Sequence, residues 1–545
     1  MVFKKKNPRL NSISRVVEEN VGIPSDIFLA TEPQEPFIEG IAEAVKIILQ
    51  FIDNDPTRQI TIVGDYDSDG INATAIVYWS LMTLQRDLHV QLNIVTRLPR
   101  RLSEGYGLSE KIIDEIPEGS LLITVDNGIA AKTAVEKAKN KGITVIITDH
   151  HLPSVTETGE YDLPGADVIV DPHVDNKSEF ADYCGAALAY RLGKALVNKE
   201  LKPLLVLAAI ATVTDIVPLV GDNRRLLRRG LDLINEASGK FNPPGLQALL
   251  KEANLSDHIT EDDFGFTIGP IFNAAGRLID DGASHVLDLL KCSKNDATAP
   301  ERAVKLIEAN SMRKLVVKQC IPRTEAQVRD FPIVIYDPSI GEGIIGIIAG
   351  NLVEKYNCPA IVFTDSGKIE KPILKGSARS IPEIHLKHTL DTISDLIIGY
   401  GGHAGAAGLS IQPENLEKFR TAFTKAVGPL PEHADTEWYD LDLKEEDIPN
   451  IMSELKKFAP FGEGNPKIRF HLECDIPENL NEDQIKMGDG SHFKFWMKTY
   501  SIVGFGLMPR YKELGCPTHL NMIGTLTESW FNGSSSVKYQ VESIM

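Results

Sequence analysis

From residue 60 to about 170, short apolar runs alternate with stretches whose apolar residues recur at helical spacing. The runs are ITIVG, QLNIVT, LLITV, TVIIT and DVIV; one apolar helix begins at Ile71 and another covers AKTAVEKAKN. Runs that are apolar at every position are strands buried on both faces, so this region predicts a parallel sheet in a doubly wound α/β domain. A mostly helical stretch follows, from Gly185 to about Leu250. The segment from Glu301 to Ile321 is amphipathic and free of glycine and proline, which predicts a long helix bridging two lobes.

A second alternation of strand and helix runs from PIVIY at Pro332 through IVF at Ile361 to the glycine-rich GYGGHAGAAGLSI, and closes on an amphipathic helix from Glu414 to Ala426. After VGPLPEHADTE the period changes to two. FKFWMK, SIVGFG, HLNMIGTL and SVKYQVE read as short strands divided by Gly, Asn and Pro, which suits a small barrel of the OB kind. The division expected is an N-terminal segment (1–50), a catalytic domain (51–290), a connecting helix (291–330), a smaller α/β domain (331–430) and an OB-like β-barrel (431–545).

Composition narrows the function classes. A chain of 545 residues exceeds one hydrophobic core, and no apolar run approaches the ~18 residues of a membrane span. The start, MVFKKKNPRLNS, has lysines with no apolar run behind them, so the expected setting is cytoplasmic. Six cysteines lie far apart with no C-x-x-C pair and read as buried thiols. A net charge of −19 excludes binding nucleic acid over the whole surface, so any such site is a local basic groove. Two short runs are candidates, RLPRR at Arg97 to Arg101 and RRLLRR at Arg224 to Arg229, although such runs are more often solvated faces.

The chemistry gathers at strand ends. DYDSDG after ITIVG sets Asp65, Asp67 and Asp69 at alternate positions with no Lys or Arg nearby in sequence. Asp126 ends LLITV, and Asp149, His150 and His151 end TVIIT. Ligands of open parallel sheets collect at the carboxyl ends of strands, so these groups should converge on a cation. One aspartate after a strand is as commonly an Asx turn or a helix cap, but five or six together are not. Carboxylate oxygen mixed with imidazole nitrogen suits manganese better than magnesium. Asp215, a lone acid in the apolar run ATVTDIVPL, needs a partner or a metal.

DYDSDG, VDNG, TDHH and VTDIVP resemble the four successive motifs of the DHH phosphodiesterase superfamily. PRRLSEGYGL, GPIFNAAGRL, IIGIIAG, KGSARSI, GYGGHAGAAG, FGEGNP and FKFW resemble its RecJ family, over nearly the whole chain from about residue 55. The resemblance implies a parallel-sheet DHH domain and a smaller DHH-associated domain joined by a long helix, with a terminal OB domain. It implies a metal-dependent 5′ to 3′ exonuclease on single-stranded DNA, serving repair and recombination as a monomer, with a single-strand-binding protein and a helicase as partners. By it, Asp67, Asp69, Asp126, His150 and Asp215 are metal ligands, with Asp65 contributing. Asp149 orients the histidines and His151 faces the scissile phosphate. Arg101, Ser377 and Arg379 form a pocket for a 5′ phosphate, Arg277 and His403 meet substrate phosphates, and Phe493, Phe495 and Trp496 are candidates to guide the strand, unless they are barrel core.

Four positions depart from the family pattern and mark a divergent branch. Val63 stands where some DHH proteins have a histidine for a second metal, Ile271 where the motif has Arg, Gly341 where it commonly has His and Asn351 where it commonly has Arg. Two other readings compete: a DHH phosphodiesterase on short oligonucleotides or cyclic dinucleotides, and a nuclease-dead single-strand-binding relative. The barrel disfavours the first and the intact acids the second. A metal-free nucleotide-binding α/β protein is weaker still, because no G-x-G-x-x-G or P-loop follows any strand.

Overall fold

A computed structural model describes residues 2–30, 35–156, 158–236, 239–255, 258–366, 372–431, 436–477, 482–531 and 533–545. The five apolar runs all form strands: Gln59–Val63, Asn93–Arg97, Leu121–Val125, Thr144–Thr148 and Val168–Val170. They pair in parallel, with Gln59–Val63 between Asn93–Arg97 and Leu121–Val125 and the other two following in chain order. The order therefore reverses beside Gln59–Val63. Its carboxyl end and that of Leu121–Val125 flank the point where connections leave in opposite directions and a crevice opens. Helices cover both faces: Ser68–Leu88 and Gly185–Val197 pack into the larger core, while Glu110–Glu115 and Lys132–Asn140 cover the other side with Ile112, Ile113, Val135 and Ala138.

The bridging segment is one helix, Ala299–Glu325. Its first half buries Ala303 and Leu306 in the catalytic core, and its second buries Cys320 against Ile333 and Ile348 of the next unit. At 1.5 Å per residue it is a strut of about 40 Å. That next unit is a five-stranded mixed sheet, ordered Gly399–Gly402, Ala406–Ile411, Leu374–Arg379, Ala360–Asp365, Ile333–Tyr336. Helix Ile345–Tyr356 packs on one face and Leu416–Val427 on the other. The last unit is a seven-stranded sheet around Phe470, Phe493, Phe495 and Tyr539.

Three features were not expected from the sequence. Strand Val2–Lys5 pairs in parallel with Thr436–Tyr439, and helix Ile13–Val21 packs Ile13, Val16 and Val17 into the core of the last unit. The run RRLLRR is not a basic groove: Arg224 is buried and donates to the carbonyls of Phe458 and Lys457, Arg225 pairs with Asp222, and Arg229 with Glu200. Five cysteines are buried, but Cys516 is exposed on a turn residue of positive φ. Among the described residues, no helix is long and apolar enough to cross a membrane.

Candidate metal centre and phosphate cleft

The acids meet because three chain segments end at one crevice. Asp67 caps helix Ser68–Leu88, its Oδ1 accepting from the amides of Asp69 (3.0 Å) and Gly70 (3.1 Å), which leaves Oδ2 for the crevice. Asp69 is buried, and both of its oxygens accept from the first amides of helix Gly185–Val197, Gly185 at 2.6 Å and Ala186 at 2.8 Å. A helix N-terminus favours the ionised form. Asp126 takes a left-handed backbone (φ 60°) straight after its strand. His150 Nε2 lies 3.0 Å from Asp126 Oδ1, 3.6 Å from Asp69 Oδ2 and 3.7 Å from Asp215 Oδ2. Asp215 itself follows helix Lys202–Thr214 as its C-cap.

This set fits a divalent cation on electrostatic grounds. Burial, and then the crowding of neighbouring carboxylates, pushes the carboxyl groups of Asp65, Asp126 and Asp215 well above the ordinary range. Burial also raises Asp69, against the opposing pull of His150. Among the described residues none of these acids pairs with Lys or Arg, so a cation supplies the charge they lack. Asp65 Oδ1 accepts from the Gly107 amide at 3.1 Å, but its Oδ2 is buried without a partner. Ligand atoms of Asp69, His150 and Asp215 lie within 4.8 Å of one another, as do those of Asp65, Asp67 and Asp126, and of Asp126, His150 and His151. Burial lowers the pKa of His150 and keeps the imidazole neutral, as a metal ligand must be.

Asp149 faces away from this cluster. It accepts from the amides of Ile129, His150 and His151, and its Oδ1 meets His151 Nδ1 at 2.8 Å. Burial opposes charge on His151, but Asp149 outweighs it and holds the imidazole pKa at about 9. Val63 is fully buried and contributes only its carbonyl, which accepts from Asn127 Nδ2.

A second cleft, of about 510 Å³, lies where the first two units face each other. Tyr66, Arg101, Arg277, Lys375, Ser377 and Arg379 line it, with Gly346 of helix Ile345–Tyr356. Arg379 Nη1 donates to Ser377 Oγ (3.2 Å), and the Arg101 guanidinium lies 4.7 Å over the Tyr66 ring. A Cβ on Gly346 would lie 2.9 Å from Ser377 Oγ and 3.1 Å from Arg379 Nη2, so only glycine leaves the fork free. Arg101, Arg277 and Arg379 have no carboxylate partner among the described residues. Burial, followed by the three arginines Arg101, Arg313 and Arg379, pushes Arg277 down to about 10; burial and Arg101 lower Arg379. Unpaired guanidinium groups around one void await an anion.

The other expected residues fall elsewhere. His403 is exposed on the turn before strand Ala406–Ile411 and does not line this cleft. Phe493 and Phe495 are barrel core, and only Trp496, 62% exposed and 3.7 Å from Lys494 Nζ, faces outward. Ile271 is buried, and Asn351 donates to the Ile347 carbonyl of its own helix. The sequence reading missed four contributors. Tyr106 Oη donates to the Asp126 carbonyl and contacts the His151 ring (3.2 Å to Nδ1), Lys375 joins the arginines, and Asn273 Oδ1 accepts from the Ser68 amide. Asp171 follows the last parallel strand, its charge favouring the protonated form of His150. The alternation of strand with polar residue that exposed Asp126 would have found Asp171 too.

Comparison with known proteins follows the same three units. The family model of the DHH family, N-terminal domain, matches residues 59–212, the DHHA1 domain residues 330–428 and the RecJ OB domain residues 439–543. The single-stranded-DNA-specific exonuclease RecJ of Dickeya dadantii is 32% identical over 79% of this chain and 77% of its own length. RecJ of Bacillus subtilis is 34% identical over 95% of this chain and 65% of its own. The crystal structure of Thermus thermophilus RecJ in complex with Mn2+ superposes with a TM-score of 0.78 at 25% identity, covering 98% of this chain and 75% of that one.

Proposed function

This chain belongs to the RecJ family of metal-dependent exonucleases on single-stranded DNA, and we propose that it cuts from the 5′ end, the terminal phosphate seated among Arg101, Ser377 and Arg379. The observation that carries the polarity is the unpaired arginine cleft, which shares Tyr66 and Arg277 with the catalytic side. A phosphate there meets two guanidinium forks, a hydroxyl and an ammonium, none of them paired with a carboxylate among the described residues, with Glu342 also on the cleft wall.

In this reading Asp65, Asp67, Asp69, Asp126, His150 and Asp215 hold one or two divalent cations, with Asp126 common to two of the ligand groups. The imidazole among the donors favours Mn2+, with Mg2+ the alternative. Bound there, the cation would make hydroxide available near neutral pH and neutralise charge on the phosphate oxygens. His151 keeps its proton because Asp149 anchors Nδ1, so its other N–H serves the scissile phosphate or the departing oxygen. Arg277, which lines this cleft and the cavity beside it, would then meet a phosphate between the terminal one and the metal centre. Residues 51–290 then do the chemistry, 291–330 brace it, 331–430 hold the end of the strand and 431–545 guide the rest. Delivery by a single-strand-binding protein and a helicase, action as a monomer and a cytoplasmic setting belong to the same proposal.

The test is manganese-dependent digestion of a 3′-labelled single strand with a 5′ phosphate, beside the matching duplex and an unphosphorylated strand. Progressive shortening of the single strand alone, faster with the phosphate, is the expected result. Cleavage of dinucleotides with the long strand left intact would overturn it.

A further inference from the structure

On the other side of Arg277 a trough of about 600 Å³ runs from the residues flanking Asp215 to the third unit. Thr214 and Ile216, on either side of Asp215, form its near end; Phe461 and Lys467 of the barrel unit form its far end. Two side chains in it are at odds with ordinary folding. Ile216 is 70% exposed and has a backbone φ of 58°, a left-handed conformation that is an outlier for a β-branched residue. Phe266 is 77% exposed on the π-helical turn Phe264–Ile268, whose Phe264 and Ile268 point inward. Single exposed apolar residues mean little. Two lie in one trough, each on irregular backbone and one adjoining Asp215. The trough also carries Arg277 and Arg313, and with them Glu261, Asp262, which pairs with Lys467, and Glu463. Arg313 has no carboxylate partner among the described residues, and its Nε is unpaired. Arg277 and Arg313, without carboxylate partners among the described residues, offer contacts to backbone phosphates, and the exposed apolar faces beside them suit flat nucleobases.

We propose that Ile216 and Phe266 form a base platform that takes the first unpaired nucleobases on the 3′ side of the scissile phosphate and selects single strands for cleavage. The inference rests on the single-strand reading above. With the terminal phosphate among the arginines on one side of Arg277, the remaining strand has the trough as its continuous way out. Bases in a duplex are already stacked and paired, so they cannot turn onto a phenylalanine face. A stack on an aromatic ring accepts any base, so the platform does not impose sequence preference.

The experiment is fluorescence of 5′-phosphorylated single strands carrying 2-aminopurine at successive positions from the 5′ end, bound to the full chain with Ca2+ in place of Mn2+. Wild type should quench the probe at one or two adjacent internal positions. Phe266→Ala should abolish that quenching and weaken strand binding by about tenfold. Phe266→Trp should restore both, and Ile216→Ala should reduce quenching at the adjoining position. The preference for a 5′ phosphate should stay as in wild type, since the arginine pocket is untouched. Both side chains are exposed, so the variants should fold as wild type does by circular dichroism. An unchanged quenching profile in Phe266→Ala would overturn the platform while leaving the exonuclease reading standing. Failure of wild type to bind any single strand would overturn both.

Discussion

Residue by residue, the centre depends on groups that carry no chemistry of their own. Gly185 is the clearest: a Cβ there would lie 2.5 Å from Asp126 Cβ, 2.8 Å from Asp126 Cα and 3.0 Å from Asp69 Oδ2. Replacing a helical glycine by alanine ordinarily stabilises by about 1 kcal/mol. Here overpacking, at roughly 1–3 kcal/mol, reverses the sign and acts on two carboxylates at once. Gly185→Ala should lower activity roughly 100-fold, because displacements near 1 Å at a reacting centre have that effect. Calorimetric titration with Mn2+ should show weakened binding while the far-ultraviolet spectrum is unchanged; full activity would sink the account. The contrast with Asp126 shows what was legible. An acid ending an apolar strand stands out in the sequence, whereas Gly185 looks like any helix start, and Tyr106 reaches the site only through the fold of its loop. Asp126→Ala should abolish hydrolysis and Mn2+ binding together.

At the level of elements, the parallel strands were legible because burial on both faces leaves no polar position to confuse the period, and the bridging helix because Glu301 to Ile321 holds no glycine or proline, although the helix runs on through Pro322 to Glu325. The pairing of Val2–Lys5 with Thr436–Tyr439 was not, since contacts across more than 400 residues leave no local pattern. Nor was the inward turn of RRLLRR, which only the tertiary partners decide. Asp222 in that region accepts from Tyr183 Oη and from Arg191 Nη1 at 2.8 Å and pairs with Arg225, all on buried or nearly buried side chains. Asp222→Ala leaves Arg191 and Arg225 with Glu35 as their shared carboxylate, 3.8 and 3.4 Å away, and should cost roughly 1–3 kcal/mol, read from urea unfolding. A second element contact governs geometry rather than stability. Turn Glu342–Ile344 packs so closely on helix Gly269–Leu278 that a Cβ on Gly343 would lie 2.0 Å from the Arg277 carbonyl. Gly343→Ala must part the two lobes there. Its kcat should fall roughly 100-fold with Mn2+ affinity unchanged, because the proposed metal ligands all lie on one lobe and Lys375, Ser377 and Arg379 on the other. Loss of metal binding would show instead that the lobes stabilise each other's folding.

For the whole molecule, cutting and guiding are coupled only if the third unit stays docked on the first. The contact is partly ionic: Arg224 donates to Phe458 and Lys457 at the C-terminus of helix Ile448–Phe458, Asp262 pairs with Lys467, and Glu261 Oε1 accepts from the Phe461 amide at 2.9 Å. Glu261 is the weak point, because burial raises its carboxyl above the ordinary value of 4.5. A raised acid binds its proton more tightly in the folded state. Below about pH 4.5 both states hold the proton and Glu261 costs nothing; as pH rises through the raised native value the carboxylate form becomes a penalty, complete above it. Glu261→Gln keeps the acceptor for the Phe461 amide and removes the charge. Its Tm minus that of wild type should therefore be smallest near pH 4 and grow through the mildly acidic range to a plateau at neutral pH. A difference that shrinks as pH rises would mean that attraction to Lys467 outweighs burial, and that the guide is held on the catalytic unit by charge rather than in spite of it.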